Sequence, residues 1–287
     1  MTAILTEARK KFHNDLVERH TLTLSPHQVA SNADKSQKSS VAIAEGIAHD
    51  LAAQTVEKKL QGQRAGRQFE QAVENFLKET FPYLQSLRPG DWSIYNVGGS
   101  RKEYQVAKYE PYAHLADLAR AIESDRTLAS VLGNSYDIGP DILIVRSPES
   151  DEAINRDHEF VDADFGQYAV IRRENQERLI VHAVVSCKWT LRSDRAQNAR
   201  SEALNVIRNR KGRMPHTVVV TGEPSPSKLA SLALGTGDID MVYHFALPEL
   251  IRAVDGTEND EAISMLHTLV DGKRIRDITD LPLDLAV

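Results

Sequence analysis

The chain has 287 residues, 41% hydrophobic and 26% charged, which is ordinary for a soluble globular protein and long enough for one domain or two. A single cysteine, Cys187, excludes an internal disulfide and a zinc site built from several thiolates. No apolar run is long enough to span a membrane, and a net charge of −6 argues against a non-specific nucleic-acid binder.

Residues 3–20 have the periodicity of an amphipathic helix. Charges begin at Glu7 with no uninterrupted apolar region, unlike a signal peptide, so a cytoplasmic protein is expected. The polar stretch Ser25–Ser40 reads as a loop. Helical patterns follow at 41–59 and 66–82. The second places Phe69, Val73, Phe76 and Leu77 on one side and Glu70 in its first turn, where an acid complements the helix dipole. Asp91–Gly98 reads as a strand ending in a Gly-Gly turn, and 113–124 as a helix. A short apolar strand at 142–145 starts directly after Pro140-Asp141. Residues 146–176 are charged and irregular, an excursion or a weak hairpin.

From Val181 to Leu191 the odd positions (Val181, Ala183, Val185, Cys187, Trp189, Leu191) are apolar, as in a half-buried strand. The other face turns polar as the strand ends, through Ser186, Lys188, Thr190 and Arg192. A helix follows, with Ala196, Ala199, Ala203, Leu204 and Ile207 at helical spacing and Ser193 or Asp194 as N-cap. Arg195 and Glu202 lie seven residues apart on it, on nearly one face. Then come a buried strand in HTVVVTGEP, a helix in SPSKLASLAL capped by Ser225 or Ser227, and a strand in DIDMVYHF. The tail reads as two helices or one broken helix. Strands separated by helices indicate an α/β core with mostly helical material ahead of it. With no linker, repeat or low-complexity segment, residues 1–287 read as one domain. Gly98-Gly99 and Gly235-Thr236-Gly237 lack phosphate-loop spacing and read as turns, and neither HExxH nor GxSxG occurs.

Charge is unevenly spread. Lys188 to Arg213 carries eight basic residues and two acidic ones, a local +6, which leaves −12 for the rest. A basic zone on an acidic body suits a polyanion held in one place, and equally a solvated helix face. Asp141, fixed by the stiff Pro140 and an apolar strand, has the place of a first ligand to a hard divalent ion. Lys188 can orient a water or stabilise developing negative charge, and Glu202 can reach a metal shell through water. Together they permit metal-assisted phosphodiester hydrolysis with one or two Mg²⁺ ions. The same residues also fit a turn-capping aspartate beside a surface ion pair, and spacing alone leaves both open.

Pro140-Asp141, Ser186-Cys187-Lys188 and Glu202, with 46 residues between Asp141 and Lys188 and 13 between Lys188 and Glu202, resemble a known site. It is the PD-(D/E)xK nuclease site, in the variant of type II restriction endonucleases that cut within CCGG-containing sequences. There a serine, here Ser186, replaces the acid two residues before the lysine, and a glutamate from the next helix, here Glu202, takes its place. The turn KWTLRSDR, Lys188 to Arg195, is similar to that branch's DNA-reading motif.

The resemblance implies a central mixed β-sheet flanked by helices. It makes Asp141 and the main-chain carbonyl of Cys187 direct Mg²⁺ ligands, with Ser186, Glu202 and Glu70 contacting the metal through water and Lys188 positioning the attacking water. Arg192 and Arg195 would read the two guanines of the CCGG half-site and Asp194 a cytosine N4, the pairings that major-groove geometry favours. Asp34 and Lys228 match the readers of the outer G·C pair. Lys228 stands where the branch has arginine, so it lacks the planar fork. Gln63 matches a minor-groove contact, though a polar residue ahead of a helix accounts for it too. The implied enzyme is a Mg²⁺-dependent endonuclease that cuts double-stranded DNA at GCCGGC ahead of the CCGG. It would leave a 5′ overhang and a 5′-phosphate. It would act as a homodimer paired into a homotetramer within a restriction-modification system, with host DNA protected by a partner methyltransferase. A repair or recombination nuclease on the same core is an alternative, against which the readers at Arg192–Arg195 count. A DNA-binding protein without catalysis is another, and it predicts binding with Mg²⁺ and no nicking.

Overall fold

The computed structural model describes residues 2–57, 60–98, 105–124, 127, 130–131, 139–191, 193–235 and 237–287, without the side chains of residues 105 and 193–196. Six strands form one sheet, and their order across it is their order in the chain. They are β1 (Trp92–Asn96), β2 (Ile142–Arg146), β3 (Ile180–Lys188), β4 (His216–Thr221), β5 (Met241–His244) and β6 (Ile275–Asp277). The first three run antiparallel; β3 through β6 run parallel. The sheet is therefore mixed, as an α/β class with this resemblance requires.

The expected half-buried strand is instead covered on both faces, with only Ile180 and Lys188 at its ends partly exposed. Parallel partners and flanking helices bring this about, since strands joined by crossover helices are buried on both sides. Strict odd–even alternation also fails at one point. Ile144 pairs with Ala183 but Val145 pairs with Val181, so His182 is an extra residue on β3. The bulge turns Val181 to the face of Val184, where both pack with Leu143, Val145, Tyr112 and Val206. Ala183, Val185 and Cys187 join Ile142 and Ile144 in the larger core on the other face.

The helices are α1 (Ile4–Glu18), α2 (Lys38–Asp50), α3 (Gly62–Thr80), α4 (Leu115–Ser124), α5 (Ser193–Asn209), α6 (Pro226–Ala233), α7 (Leu247–Asp255) and α8 (Asp260–Asp271). Helix α3 lies against α1, β1 and β3 and buries Phe69, Val73, Phe76 and Leu77 as its pattern predicts. Helix α2 ends nine residues before the expected 59. Ala52 takes φ 51° beyond its C-cap, and the chain returns so that Thr55 bridges Leu24. Helix α6 has Ser225 at its N-cap, but the Ser225 side chain caps nothing and faces Ser227 Oγ at 3.1 Å. The tail forms the two expected helices, then β6, a 3-10 turn at Ile278–Asp280 and a one-turn helix at Leu281–Asp284, none of which periodicity revealed.

Residues 146–176 form no hairpin. They wrap around Arg172, 5% exposed, whose guanidinium is bidentate to Asp151 and also donates to the carbonyls of Asp162 and Phe165. Among the described residues no helix is long and apolar enough to cross a membrane.

Candidate active site

Asp141 precedes β2, and its neighbour strand β3 runs the opposite way, so the start of β2 lies beside the end of β3. This reversal brings Asp141 to Lys188 across 46 intervening residues. The carboxylate is 6% exposed, and its Oδ2 accepts the Cys187 N–H at 2.7 Å. Its carbonyl accepts the N–H groups of Val97 at 2.9 Å and Gly98 at 3.4 Å, where Gly98 turns at φ 63°. The backbone of Asp141 is thus fixed on one side by β1 and its side chain on the other by β3.

Lys188 closes β3. Its carbonyl accepts Thr221 Oγ1 at 2.8 Å and the Gly222 N–H at 3.2 Å, which clamps it to the end of β4. Its Nζ lies 3.2 Å from Asp141 Oδ2 and 3.4 Å from Glu202 Oε2. Glu202 comes from α5 and also accepts Ser186 Oγ at 3.3 Å. The four residues singled out in sequence therefore meet at one point. Burial alone would lower the Lys188 pKa, but the carboxylates of Asp141 and Glu202 outweigh it and hold the ammonium charged. Burial raises Glu202, with Lys188 pulling the other way. Cys187 is buried, and burial pushes its thiol well above the usual range, which leaves the side chain unreactive.

Glu70 is not a first-turn acid. Helix α3 starts at Gly62, so Glu70 lies in its middle and lines a cleft of about 510 Å³ with Cys187, Lys188 and Glu202. Burial and then the charge of Asp141 push its carboxyl up to about 7. The helix-dipole explanation is excluded by position, and the site carries a third acid.

Do these residues fit a divalent cation? Three acids, Asp141, Glu202 and Glu70, face two cations, Lys188 and Arg67, and the two glutamates have raised carboxyls, so acids outnumber cations there. The donors are all oxygen, as a hard ion prefers. Cys187 sends its N–H to Asp141, and in an extended strand the carbonyl of the same residue points to that same edge. Among the described residues no three His, Cys, Asp or Glu side chains are grouped closely enough to ligate one ion unaided. The oxygen donors and the excess of acid fit a hard divalent ion, with Asp141 and the Cys187 carbonyl as the groups that would hold it.

Of the expected DNA readers, Arg192 lies outside the described residues. Asp194 and Arg195 fall in the first turn of α5, and their side chains are outside the description. Helix α5 begins at Ser193, so neither Ser193 nor Asp194 is its N-cap. Asp34 and Lys228, 194 positions apart, meet at 2.8 Å on the wall of a second cleft of about 950 Å³. It shares Gly62 and Trp189 with the first cleft, so the two are contiguous. Gln63 lies inside the first turn of α3, not ahead of the helix, and lines the catalytic cleft.

Arg67 and Asn198 also line that cleft and were not singled out in sequence. A signal existed: Gly62, Gly66 and Glu70 recur every four residues, with Gln63 and Arg67 beside them, which is one helical face. A Cβ at Gly62 or Gly66 would meet nothing within 4 Å, so these positions face open space.

The family described as NgoMIV restriction enzyme matches residues 12–287. The type II restriction enzyme NgoMIV of Neisseria gonorrhoeae is 48% identical over 287 residues, covering 100% of both chains. A solved structure titled restriction endonuclease PspGI–substrate DNA complex is similar at 14% identity and a TM-score of 0.26, over 98% of this chain and 91% of that one. A superposition that weak carries no argument about this chain.

Proposed function

The chain belongs to the NgoMIV restriction enzyme family and is a type II restriction endonuclease, and from that membership we propose that it is a Mg²⁺-dependent enzyme cutting double-stranded DNA at G^CCGGC. The observation that carries the chemistry is the meeting of Asp141 and Glu202 on Lys188 Nζ at 3.2 and 3.4 Å.

Mg²⁺, when bound, supplies positive charge at the scissile phosphate and acidifies nearby water. Asp141 and the Cys187 carbonyl would hold it, while Ser186, Glu202 and Glu70 orient water around it. Lys188 Nζ, standing between Asp141 and Glu202, would position the attacking water and donate to the non-bridging phosphate oxygen, where negative charge grows. The clamp of its carbonyl to Thr221 and Gly222 fixes the strand end from which the side chain reaches, and the two carboxylates fix the ammonium itself.

Base reading is assigned to Arg192 and Arg195 at the two guanines, Asp194 at cytosine, and Asp34 with Lys228 at the outer G·C pair. Gln63 is assigned to the minor groove. Support comes from continuity: Lys188, Trp189, Thr190 and Leu191 run from the catalytic cleft into the second cleft and lead directly to Arg192. A palindromic site calls for a two-fold dimer, and we extend this to a dimer of dimers that engages two sites. A cytoplasmic location is part of this reading, since that is where DNA is met.

Digestion of plasmids of known sequence, with ends mapped by sequencing, tests this reading. Cuts ahead of CCGG in GCCGGC, with 5′-phosphate overhangs and dependence on Mg²⁺, are expected. Cleavage at unrelated sequences, or none by a folded protein that binds the site, overturns it.

A further inference from the structure

Glu223 is a carboxylate with no role so far. It follows Gly222 at the end of β4, two residues before the N-cap of α6, and is 1% exposed. Its Oε2 accepts the Leu191 N–H at 2.7 Å and its Oε1 accepts the Ser225 N–H at 3.2 Å. Lys228 Nζ stands 3.8 Å from Oε1 and 2.8 Å from Asp34 Oδ2. Next to it, Asn32 Nδ2 donates to the Gly222 carbonyl at 2.7 Å. Three chain segments therefore meet at Gly222-Glu223: the turn ending in Leu191, the start of α6 with Lys228, and the loop with Asn32 and Asp34.

We propose that Glu223 is a positioning residue for sequence recognition, holding Lys228 against Asp34 and tying both to the reading turn at Leu191. This inference rests on the assignment of Lys228 and Asp34 to the outer base pair. Both oxygens of Glu223 are used as acceptors, which is the bonding of the ionised form. A buried carboxylate is costly unless its partners are fixed, so its partners are where its effect lies. Burial raises the Glu223 carboxyl, opposed by the Leu191 N–H and by Lys228. A lysine is a point charge on a flexible stem that does not aim itself. Held between Asp34 and Glu223, its ammonium has one place to stand. The main-chain bond to Leu191 then gives the outer-pair reader and the residues just beyond Leu191 a common reference point.

The test compares kcat/KM on duplexes carrying GCCGGC and ACCGGT for the unaltered enzyme, Glu223→Gln, Lys228→Met and the double variant. Glutamine keeps the shape but presents an amide N–H₂ to one of the two backbone donors and removes the charge. Outer-pair discrimination should fall about tenfold in Glu223→Gln, the order of one lost charge-assisted bond. In the double variant it should fall no further than in Lys228→Met alone. A lowered melting temperature with unchanged discrimination marks Glu223 as merely structural and overturns the proposal, as does full additivity with Lys228→Met. Should Glu223→Gln not fold, Glu223→Asp keeps the charge but shortens its reach by one methylene, and the same ratio decides. If the unaltered enzyme cuts both duplexes equally or neither, the recognition assignment itself has failed.

Discussion

The Cys187 N–H points at Asp141 Oδ2 from 2.7 Å, so the backbone of the strand that ends in Lys188 holds the side chain that begins the strand beside it. Both groups of the candidate site, Asp141 and Lys188, are anchored at strand ends. Removing a side chain at either position should therefore leave the frame intact and take away only chemistry.

Lys188→Ala should lower the cleavage rate by at least about 10²–10³-fold, the range for losing one preorganised donor at developing charge, while binding to GCCGGC persists. Asp141→Ala should do the same by removing the side-chain ligand to the cation. Single-turnover cleavage beside gel-shift affinity separates the two effects. Equal loss of rate and of specific binding would mean the site is part of the DNA grip instead.

Chelation of divalent metal should stop cleavage without unfolding the protein, because the Lys188 ion pairs hold the acids together in the ion's absence. Glu70→Gln and Glu202→Gln should each raise the Mg²⁺ concentration needed for half-maximal rate. A metal titration of the single-turnover rate checks this, and unshifted titration curves would remove both residues from the metal's surroundings.

Arg195→Ala should cost about 1–3 kcal/mol of discrimination at one G·C pair, as for a lost bidentate guanine contact. Competition binding across single-base variants reads it. Uniform weakening on every sequence would make Arg195 a phosphate contact.

Gly222→Ala should destabilise the protein by about 1–3 kcal/mol through overpacking. An added Cβ would lie 2.5 Å from the Trp189 ring, which is wedged against Phe69 and Phe245 with centroids at 5.0 and 5.3 Å. Denaturant unfolding measures the loss, and a neutral result would show that Trp189 can move.

Stability should decline as pH falls below about 6.5. Burial depresses His182 to about 3 and His244 to about 4, and both bind protons more readily in the unfolded chain. Their contribution is complete above the unfolded value near 6.5 and is lost as pH drops towards the folded values. Glu249, buried but held at about 2 by Arg9, contributes in the same direction between about 4.5 and 2. Glu70, raised to about 7, works the opposite way between about 7 and 4.5, so the loss is read in a Glu70→Gln background. There melting temperatures at pH 8, 6 and 4 should fall in that order, and a flat profile would contradict the neutral, buried state of both histidines.

That Asp141, Ser186, Lys188 and Glu202 come together was legible through the motif they resemble, while their types and spacing alone also fitted a turn-capping aspartate beside a surface ion pair. Periodicity also located most strands and helices. It failed where tertiary contacts set the outcome. Helix α2 stopped at Asp50 because the returning chain pairs Thr55 with Leu24, and no local residue announces that. Glu70 was misplaced because α3 begins with Gly62 and Gly66, weak helix formers whose open face serves the cleft. Glu223 gave no sign in sequence, since its partner Leu191, 32 positions away, is brought to it only by the pairing of β3 with β4.

The extra residue at His182 makes β3 a ruler with one more graduation than β2. Because Ile144 still faces Ala183 and Val145 faces Val181, the added step bends and twists β3 locally without shifting its register, and closing it would leave the pairing unchanged. The spacing between proline-aspartate and lysine along the chain can drift freely with the excursion at 146–176, whereas the ladder that seats Val185 opposite Ile142 fixes how the two strand ends meet.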